Sequence, residues 1–358
     1  MAACAVQVQA QQVQGQATAQ DKAVASLGIQ SVAYQQPGEP VVMDNFGSFE
    51  GRLQNLERRT YNGVTTLPWS YYFQYESVFL TPHVDRNTAF TLYVDDPGAF
   101  VADDFAQNFE FPWSAKHSPR IEFGYLATAN ELGWRARYWI FHHSTSISVT
   151  DAEAFYGGDA TVSVTVIDDP SVQVDDEDSI IASQSLSAQV IDLEALAQRQ
   201  RGLISAGLRY VRYDSRFVAA ENPTDADPMV SVNLDFEGFG PTMGTEVRHR
   251  LGQSNFTMFA NARGSLLFGD RHFDATETDD PDTYLANSGA ELLGIGEMQV
   301  GLEWTRGNLF LRAALEGQYW LNAGVASAAQ IGNDEDLGDT LDNDLGFFGG
   351  TIGGGVRW

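Results

Sequence analysis

The sequence predicts an all-β protein, a transmembrane antiparallel up-and-down β-barrel of about ten, and up to twelve, strands. Three observations predict this fold. Segments that alternate apolar and polar residues with a period of two recur from residue 70 to the end of the chain. Short and long connections alternate between these segments, as the turns on the two rims of such a barrel do. No apolar run is long enough for a membrane helix, so a chain that enters a membrane must cross it as strands.

The predicted strands span, in order, 70–80, 119–127, 132–146, 183–196, 202–215, 230–249, 255–268, 289–304, 309–321 and 344–358. The tight connections lie at 128–131, 197–201, 250–254 and 305–308. The long, polar connections lie at 81–118, 147–182, 216–229, 269–288 and 322–343. We therefore expect short periplasmic turns on one rim and long loops on the external rim.

The hairpin around 128–131 shows which face of the barrel is apolar. Its alignment sets Tyr125 against Trp134 on one side and Glu122 against Arg137 on the other. The hairpin around 305–308, aligned in the same way, sets Trp304 against Leu309, with its charged residues on the opposite side. A soluble barrel would bury an apolar inward face. The sequence therefore predicts that the apolar face meets lipid and that the charged face lines a polar lumen.

Two sets of candidate site residues follow from this assignment. The predicted pore-lining residues are Glu122, Arg135, Arg137, Arg209, Arg263, Glu297, Glu303, Arg312 and Glu316. The predicted aromatic belts comprise Tyr125, Trp134, Phe256, Trp304 and Trp358 near the periplasmic rim, and Tyr210, Phe268, Tyr319 and Phe348 near the external rim.

Two stretches break the simple alternation. In SLSAQVIDLEAL, the face that holds Leu186, Ala188 and Val190 also holds Asp192, so we expect a bulge near Ile191 or the end of the strand. Pro241, in GFGPTMG, cannot donate a backbone hydrogen bond and predicts a second bulge.

The beginning of the chain differs in composition from the predicted barrel at 69–358. Residues 1–10 resemble the remnant of a secretory signal, with a disordered terminus as the alternative. Residues 11–68 form a Gln-rich segment, which we interpret as flexible and periplasmic, with a short amphipathic helix near 47–58.

Composition excludes several functions. With 48 acidic and 21 basic residues the formal charge is -27, which disfavours nucleic acid as a partner. Cys4 is the only cysteine, the histidines have no metal-ligand spacing, and no cofactor or metal site is expected. The acidic stretches 174–179, 274–282 and 332–344 are candidate contacts for divalent cations, without the ligand order of a calcium loop.

Six blocks, GYLATANELGWRARYW, SAGLRYVRYDS, FEGFGPTMGTEVRHRLG, ANARGSLLFG, LEGQYWLNAG and FFGGTIGGGVRW, resemble the pore-forming major outer membrane protein family named for its Legionella member, in its planctomycete-type form. The resemblance covers roughly 119–358 and implies an outer-membrane barrel with a pore and no catalytic residues. The final strand ends on Trp358, an ending that resembles the signal read by the barrel assembly machinery.

We therefore expect a porin-like channel for passive diffusion of small hydrophilic solutes or ions, in the outer membrane of a Gram-negative-type bacterium. Membrane lipids and lipopolysaccharide are its expected neighbours. One alternative is a closed structural or adhesive barrel, because about ten strands enclose little free width. Another is a hydrolase at the external rim that uses His142 or His143 as a base, although we expect no enzymatic activity.

Overall fold

The computed structural model describes residues 70–84, 87–95, 105–127, 131–150, 159–163, 179–199, 202–220, 230–277, 284–326 and 343–358. The predicted signal remnant at 1–10, the Gln-rich segment at 11–68 with its helix near 47–58, and most of the three acidic stretches lie outside these residues. Within them, no helix is long and apolar enough to span a bilayer.

Ten antiparallel strands close into a barrel, which confirms the predicted fold class and strand number. The barrel strands are β1 (Ser70–Val84), β4 (Lys116–Leu126), β5 (Leu132–Thr150), β7 (Ser179–Arg199), β8 (Gly202–Ala220), β9 (Val230–Arg250), β10 (Phe256–Glu277), β11 (Tyr284–Arg306), β12 (Leu309–Leu321) and β13 (Leu345–Arg357). Consecutive barrel strands pair with each other, and β13 pairs with β1 to complete the ring.

The long connections contain strands that the sequence pattern did not predict. β2 (Thr88–Asp95) and β3 (Phe105–Glu110) lie between β1 and β4, and β6 (Asp159–Ser163) lies between β5 and β7. These three strands form a separate antiparallel sheet in the order β3-β2-β6. They are short, and their residues do not alternate strongly enough to predict a strand.

The register of the first hairpin is as predicted, with Tyr125 opposite Trp134 and Glu122 opposite Arg137. The register of the second is wrong by two residues, since Trp304 lies opposite Leu311 and Arg306 opposite Leu309. Only two residues form the turn here, and the first, Gly307, has a φ of 59°, which favours glycine. A shift of two residues keeps every side chain on its predicted face.

Neither predicted bulge exists. β7 pairs with β5 and β8 in an uninterrupted register through Ile191, and Asp192 points inward with Val190. β8 likewise pairs with β9 in one register through Pro241, which is exposed on the outer face. The prediction was wrong because it assigned a single polarity to each face along the full length of a strand, whereas the inner face changes from apolar to charged.

The barrel wall is much taller on one side than on the other. Six neighbouring strands, β5 and β7–β11, have 19, 21, 19, 21, 22 and 23 residues. The other four, β4, β1, β13 and β12, have 11, 15, 13 and 13. A tilted strand needs about 10 residues to cross a bilayer. The tall wall is therefore long enough to extend roughly 20 Å beyond a bilayer, on the rim that carries the long connections, which we call the external side.

Candidate functional site

The outer face carries an exposed apolar band at the level of the short strands. Leu193, Met298 and Ile352 are 60%, 61% and 65% exposed. All nine predicted belt residues lie on this face. Trp134, Phe256, Phe268, Tyr319, Phe348 and Trp358 are exposed, and Tyr125, Tyr210 and Trp304 are half-buried. Their role at the membrane interfaces stays a prediction.

The inner face at the same level is filled with paired charges, which we call the ionic layer. Among the described residues it contains eight arginines, Arg120, Arg135, Arg137, Arg209, Arg248, Arg263, Arg312 and Arg357, and eight carboxylates, Glu76, Glu122, Asp192, Glu194, Glu246, Glu297, Glu303 and Glu316. Eight positive and eight negative charges cancel. This neutrality allows burial, because an unpaired buried charge is very costly.

The ionic layer crosses the whole lumen. Arg137 on β5 donates to Glu297 on β11 at 2.9 Å, and these two strands lie five positions apart, on opposite sides of the ten-stranded ring. Arg209 and Arg263 also reach Glu297, at 3.1 Å and 2.9 Å. Asp192 accepts from Arg137 at 2.7 Å and from Arg209 at 2.6 Å. Glu297 on β11 therefore binds arginines from three other strands, β5, β8 and β10.

All nine predicted pore-lining residues belong to this layer and point inward. The side chains of Arg209 and Glu303 are only 0% and 2% exposed. The predicted polar lumen is therefore occupied by paired side chains at this level, because each arginine finds a carboxylate. Whether these residues line a conducting pore stays a prediction.

Seven members of the ionic layer were missed by the sequence argument, namely Glu76, Arg120, Asp192, Glu194, Glu246, Arg248 and Arg357. Asp192 and Glu194 were missed because the expected bulge at Ile191 obscured the alternation. Asp192 and Glu194 lie two residues apart on β7, directly opposite Arg137 and Arg135 on β5. This pairing of opposite charges across two strands was the signal that could have identified them.

Above the ionic layer, towards the long loops, five aromatic side chains form an aromatic layer, Trp139, Phe141, Tyr213, Trp320 and Phe347. The ring centroids of Tyr213 and Trp320 lie 5.9 Å apart, and those of Trp320 and Trp139 lie 6.3 Å apart. Tyr213 and Trp320 stand on strands that are four positions apart in the ring, as do Trp320 and Trp139. The aromatic layer therefore also crosses the lumen.

The chain after β12 folds back into the barrel above the aromatic layer. We call residues 322–326 the strap. Val325 and Ala326 are fully buried. Tyr213 donates to the carbonyl of Gly324 at 2.9 Å, Gln184 donates to the carbonyl of Ala326 at 2.5 Å, and the amide of Ala326 donates to Ser215 at 2.9 Å. These inward side chains satisfy the backbone of a segment that is held away from water.

Residues of β2 and of the stretch 109–113 pack against the apolar interior of the tall wall. Phe90 and Phe111 are 2% and 3% exposed, and the ring of Phe111 packs edge-on against Phe217 at 6.0 Å. Trp113 donates to Asn87 at 2.9 Å. The segments that cover the apolar inner face of the long strands thus follow two of the short strands, β1 and β12.

The two histidines considered as catalytic bases lie in this external half. His142 is exposed on the outer face. His143 points inward, is 6% exposed, contacts the carbonyl oxygen of Ser114 through Nε2 at 3.0 Å and packs edge-on against Trp113. Burial lowers the pKa of His143, which the contact with Ser114 partly opposes. The imidazole in this position links the segment that carries Ser114 to the barrel.

Two cavities lie within the charged half of the lumen. One lies at the rim of the tight turns, which we call the periplasmic mouth, and is open to solvent, and a smaller one is lined by Arg120, Arg137, Glu297 and Glu316 in the ionic layer. Within the part of the chain that the structure describes, no group of His, Cys, Asp and Glu has a metal-binding arrangement. The interior can thus hold ions or water at its periplasmic end.

Comparison with known proteins agrees with this architecture. The model of the family described as Legionella pneumophila major outer membrane protein precursor matches residues 68–358. The chain belongs to this family. It is an outer-membrane β-barrel, as the sequence resemblance predicted. A search of the curated proteins returns no match.

Several solved structures match this chain at low similarity. The outer membrane protease OmpT of Escherichia coli is 9% identical, with 82% of this chain and 99% of that chain covered and a TM-score of 0.43. The translocator domain of the autotransporter NalP of Neisseria meningitidis is 11% identical, with 88% and 98% covered and a TM-score of 0.38. A mutant of the monoaromatic hydrocarbon channel TodX is 7% identical, with 82% and 91% covered and a TM-score of 0.25. At these values none of them indicates what the present chain does.

Proposed function

We propose that this member of the outer membrane protein family is a closed barrel that anchors its tall external wall and long loops at the cell surface. One observation carries the proposal. Side chains cross the lumen at two levels, through the bond from Arg137 to Glu297 and through the contacts from Tyr213 by way of Trp320 to Trp139. A ten-stranded barrel is narrow enough for side chains to fill it.

The two layers close the lumen by independent means. The ionic layer is held by charge-assisted hydrogen bonds, which are the strongest type in proteins. The aromatic layer is held by the burial of rings, and Trp139 and Trp320 are 2% and 0% exposed. A solute that crosses would have to displace both.

Planar-bilayer recording tests the proposal. We expect the purified, refolded full chain to give no stepwise conductance over a range of voltages, and liposomes that contain it not to swell in small sugars. Heat-modifiable gel mobility on the same sample shows that the barrel is folded. Reproducible conductance steps from folded protein would contradict a closed barrel.

The second candidate is the passive pore for small hydrophilic solutes or ions that the sequence predicts. The cavity at the periplasmic mouth favours it, because this cavity leads to the charged wall of the ionic layer. Rings of charge on such a wall would set ion preference. Recording from the double variant Trp139→Ala/Trp320→Ala separates the candidates. A closed barrel stays silent because the ionic layer still crosses, whereas a pore limited by the aromatic layer gains conductance over the parent.

The proposal includes no catalysis and no cofactor. His143 holds a backbone carbonyl rather than a nucleophile, and His142 lies on the opposite face of the strand. The apolar outer band would contact lipid, with lipopolysaccharide beside the external wall, and β13 with Trp358 would present the signal for the barrel assembly machinery. A measured hydrolysis that is abolished by His143→Gln would contradict this part of the proposal.

A further inference from the structure

The cavity at the periplasmic mouth is cationic, although the chain as a whole is acidic. Its lining includes five arginines and two glutamates, a difference of three positive charges, whereas the whole chain has a formal charge of -27. Glu303 and Glu194, which pair with lining arginines beside the cavity, reduce this local excess to one. The lining arginines are Arg135, Arg199, Arg248, Arg312 and Arg357. All five lie near the periplasmic ends of their strands, where the cavity opens.

Two of these arginines retain donors without a protein acceptor. A guanidinium group has five N–H donors. Arg357 uses Nη2 on Glu303 at 2.9 Å, and Arg248 uses Nε on Glu246 and Nη1 on Glu303. Among the described residues, Nε and Nη1 of Arg357 and Nη2 of Arg248 have no hydrogen bond to protein. Their side chains are 15% and 14% exposed, so that part of each is open to the cavity.

Arg312 is less well satisfied, although it is more deeply buried. Its side chain is 8% exposed, and Nη1 donates to Gln74 at 3.2 Å. Nε and Nη2 are buried without a hydrogen bond, and their nearest carboxylate oxygens, on Glu303 and Glu246, are 3.4 and 3.5 Å away. Buried donors that lack a good acceptor are unfavourable. Arg312 lines the cavity, and its side chain would have to turn for these two donors to reach an oxygen bound there.

Aromatic rings hold two of the guanidinium groups in place. The guanidinium carbon of Arg312 lies 4.0 Å from the ring centre of Phe259, and that of Arg357 lies 4.3 Å from the ring centre of Phe310. Stacking uses the face of the guanidinium and leaves the in-plane N–H groups free. The donors are therefore positioned before a ligand arrives, which reduces the entropy lost on binding.

We propose that this cavity is a binding site for a small oxyanion, a phosphate or a carboxylate group, that enters from the periplasm. Arg248 and Arg357 would donate to the ligand at the opening and Arg312 further inside. Arg199, which is exposed at the rim, would attract the ligand electrostatically. The site forms the periplasmic edge of the ionic layer, and binding there does not require the barrel to conduct.

Isothermal titration calorimetry on the refolded full chain, in an uncharged detergent at constant ionic strength, tests the proposal with two probes. Inorganic pyrophosphate represents the phosphate group and citrate represents the carboxylate group. We expect one saturable site per chain for at least one probe, and the tighter probe identifies the group that is bound. Absence of saturable binding for both probes would overturn the proposal.

Three variants locate the site. Arg248→Gln removes a donor at the opening and should weaken binding by about tenfold or more. Arg306→Gln is the matched control, since Arg306 is exposed at the turn between β11 and β12 and does not line the cavity, and binding should be unchanged. If Arg248→Gln fails the heat-modifiable gel test for folding, Arg199→Gln takes its place as the cavity variant. Its affinity for the probe should fall by about threefold, because one attracting charge is missing. Equal effects of the cavity variant and of Arg306→Gln would overturn the assignment.

Discussion

The membrane half and the external half of this barrel have opposite polarity. In the membrane half, apolar side chains such as Leu193 and Met298 point outward, and the buried interior contains the ionic layer. In the external half, polar residues such as Ser146, Glu237 and His272 are exposed, and the interior contains Phe217, Val232, Phe273 and other apolar side chains. The same six strands run through both halves. Each strand therefore changes the polarity of both its faces where it leaves the bilayer.

This difference teaches that the surroundings, and not the strand, determine which face is apolar. A strand in lipid must expose apolar side chains, whereas a strand in water gains stability by burying them. Charge can fill the interior of the membrane half because eight arginines meet eight carboxylates. The external half has an ordinary apolar core, closed on its low side by the strap and by the segment around Phe111.

The largest expected effect comes from breaking the ionic layer. Glu297→Leu leaves Arg137, Arg209 and Arg263 without a shared carboxylate in a buried site. We expect the free energy of unfolding to fall by about 3–5 kcal/mol, as for other buried pairs that lose one partner. Urea unfolding of the barrel in lipid vesicles measures it.

The matched control for this change lies in the external half. Asp270 is exposed on the outer face of β10, so Asp270→Leu should change the free energy of unfolding by less than about 0.5 kcal/mol. If the free energy of unfolding falls as little in Glu297→Leu as in Asp270→Leu, the charges in the lumen are hydrated rather than paired.

A second prediction compares the outer faces of the two halves directly. Leu193→Arg places a charge in the apolar band, where Leu193 is 60% exposed, and should cost about 2–4 kcal/mol if that band contacts lipid. Ser146→Arg places the same side chain on the exposed outer face of β5 in the external half and should cost almost nothing. Unfolding in vesicles measures both, and a small cost at Leu193 would place the boundary of the bilayer elsewhere.

The contrast between the halves also explains which features could be predicted from the sequence. The ten strands and their faces were predictable, because a period of two persists in both halves. The change of polarity was not, because Val190 and Asp192 lie on one face and appeared to require a bulge. The partners of the charges were only partly predictable. Arg137 and Glu122 are adjacent on paired strands, whereas Arg137 and Glu297 are 160 residues apart and meet only across the closed ring.

A third prediction concerns the strap that closes the external half. Tyr213→Phe removes the donor to the carbonyl of Gly324 and leaves that oxygen buried among apolar side chains. We expect the free energy that holds the strap in its docked position to fall by about 1–3 kcal/mol. In a Cys4→Ala background, the rate at which an aqueous thiol reagent labels Val325→Cys measures docking, and it should rise in the Tyr213→Phe variant.

Ala275→Cys is the control for this experiment, since Ala275 is fully buried in the tall wall. Its labelling rate should not change with Tyr213→Phe. If both cysteines became accessible together, the external half would open as a unit, and the strap would not be held as a separate segment.

The smallest expected effect is a pH dependence confined to the external half. Burial lowers the pKa of His143 below its ordinary value of 6.5, so the unfolded chain binds a proton at this residue more readily than the folded chain does. The stability contributed by neutral His143 is therefore fully present above pH 6.5 and is lost as the pH falls from there towards the lowered pKa of the folded state. Hydrogen exchange of the amides of β5 near His143, followed from pH 7.5 to pH 5 and corrected for intrinsic rates, should show falling protection in the parent and a weaker fall in His143→Gln. Equal falls in the two proteins would show that another group, and not His143, makes this half sensitive to acid.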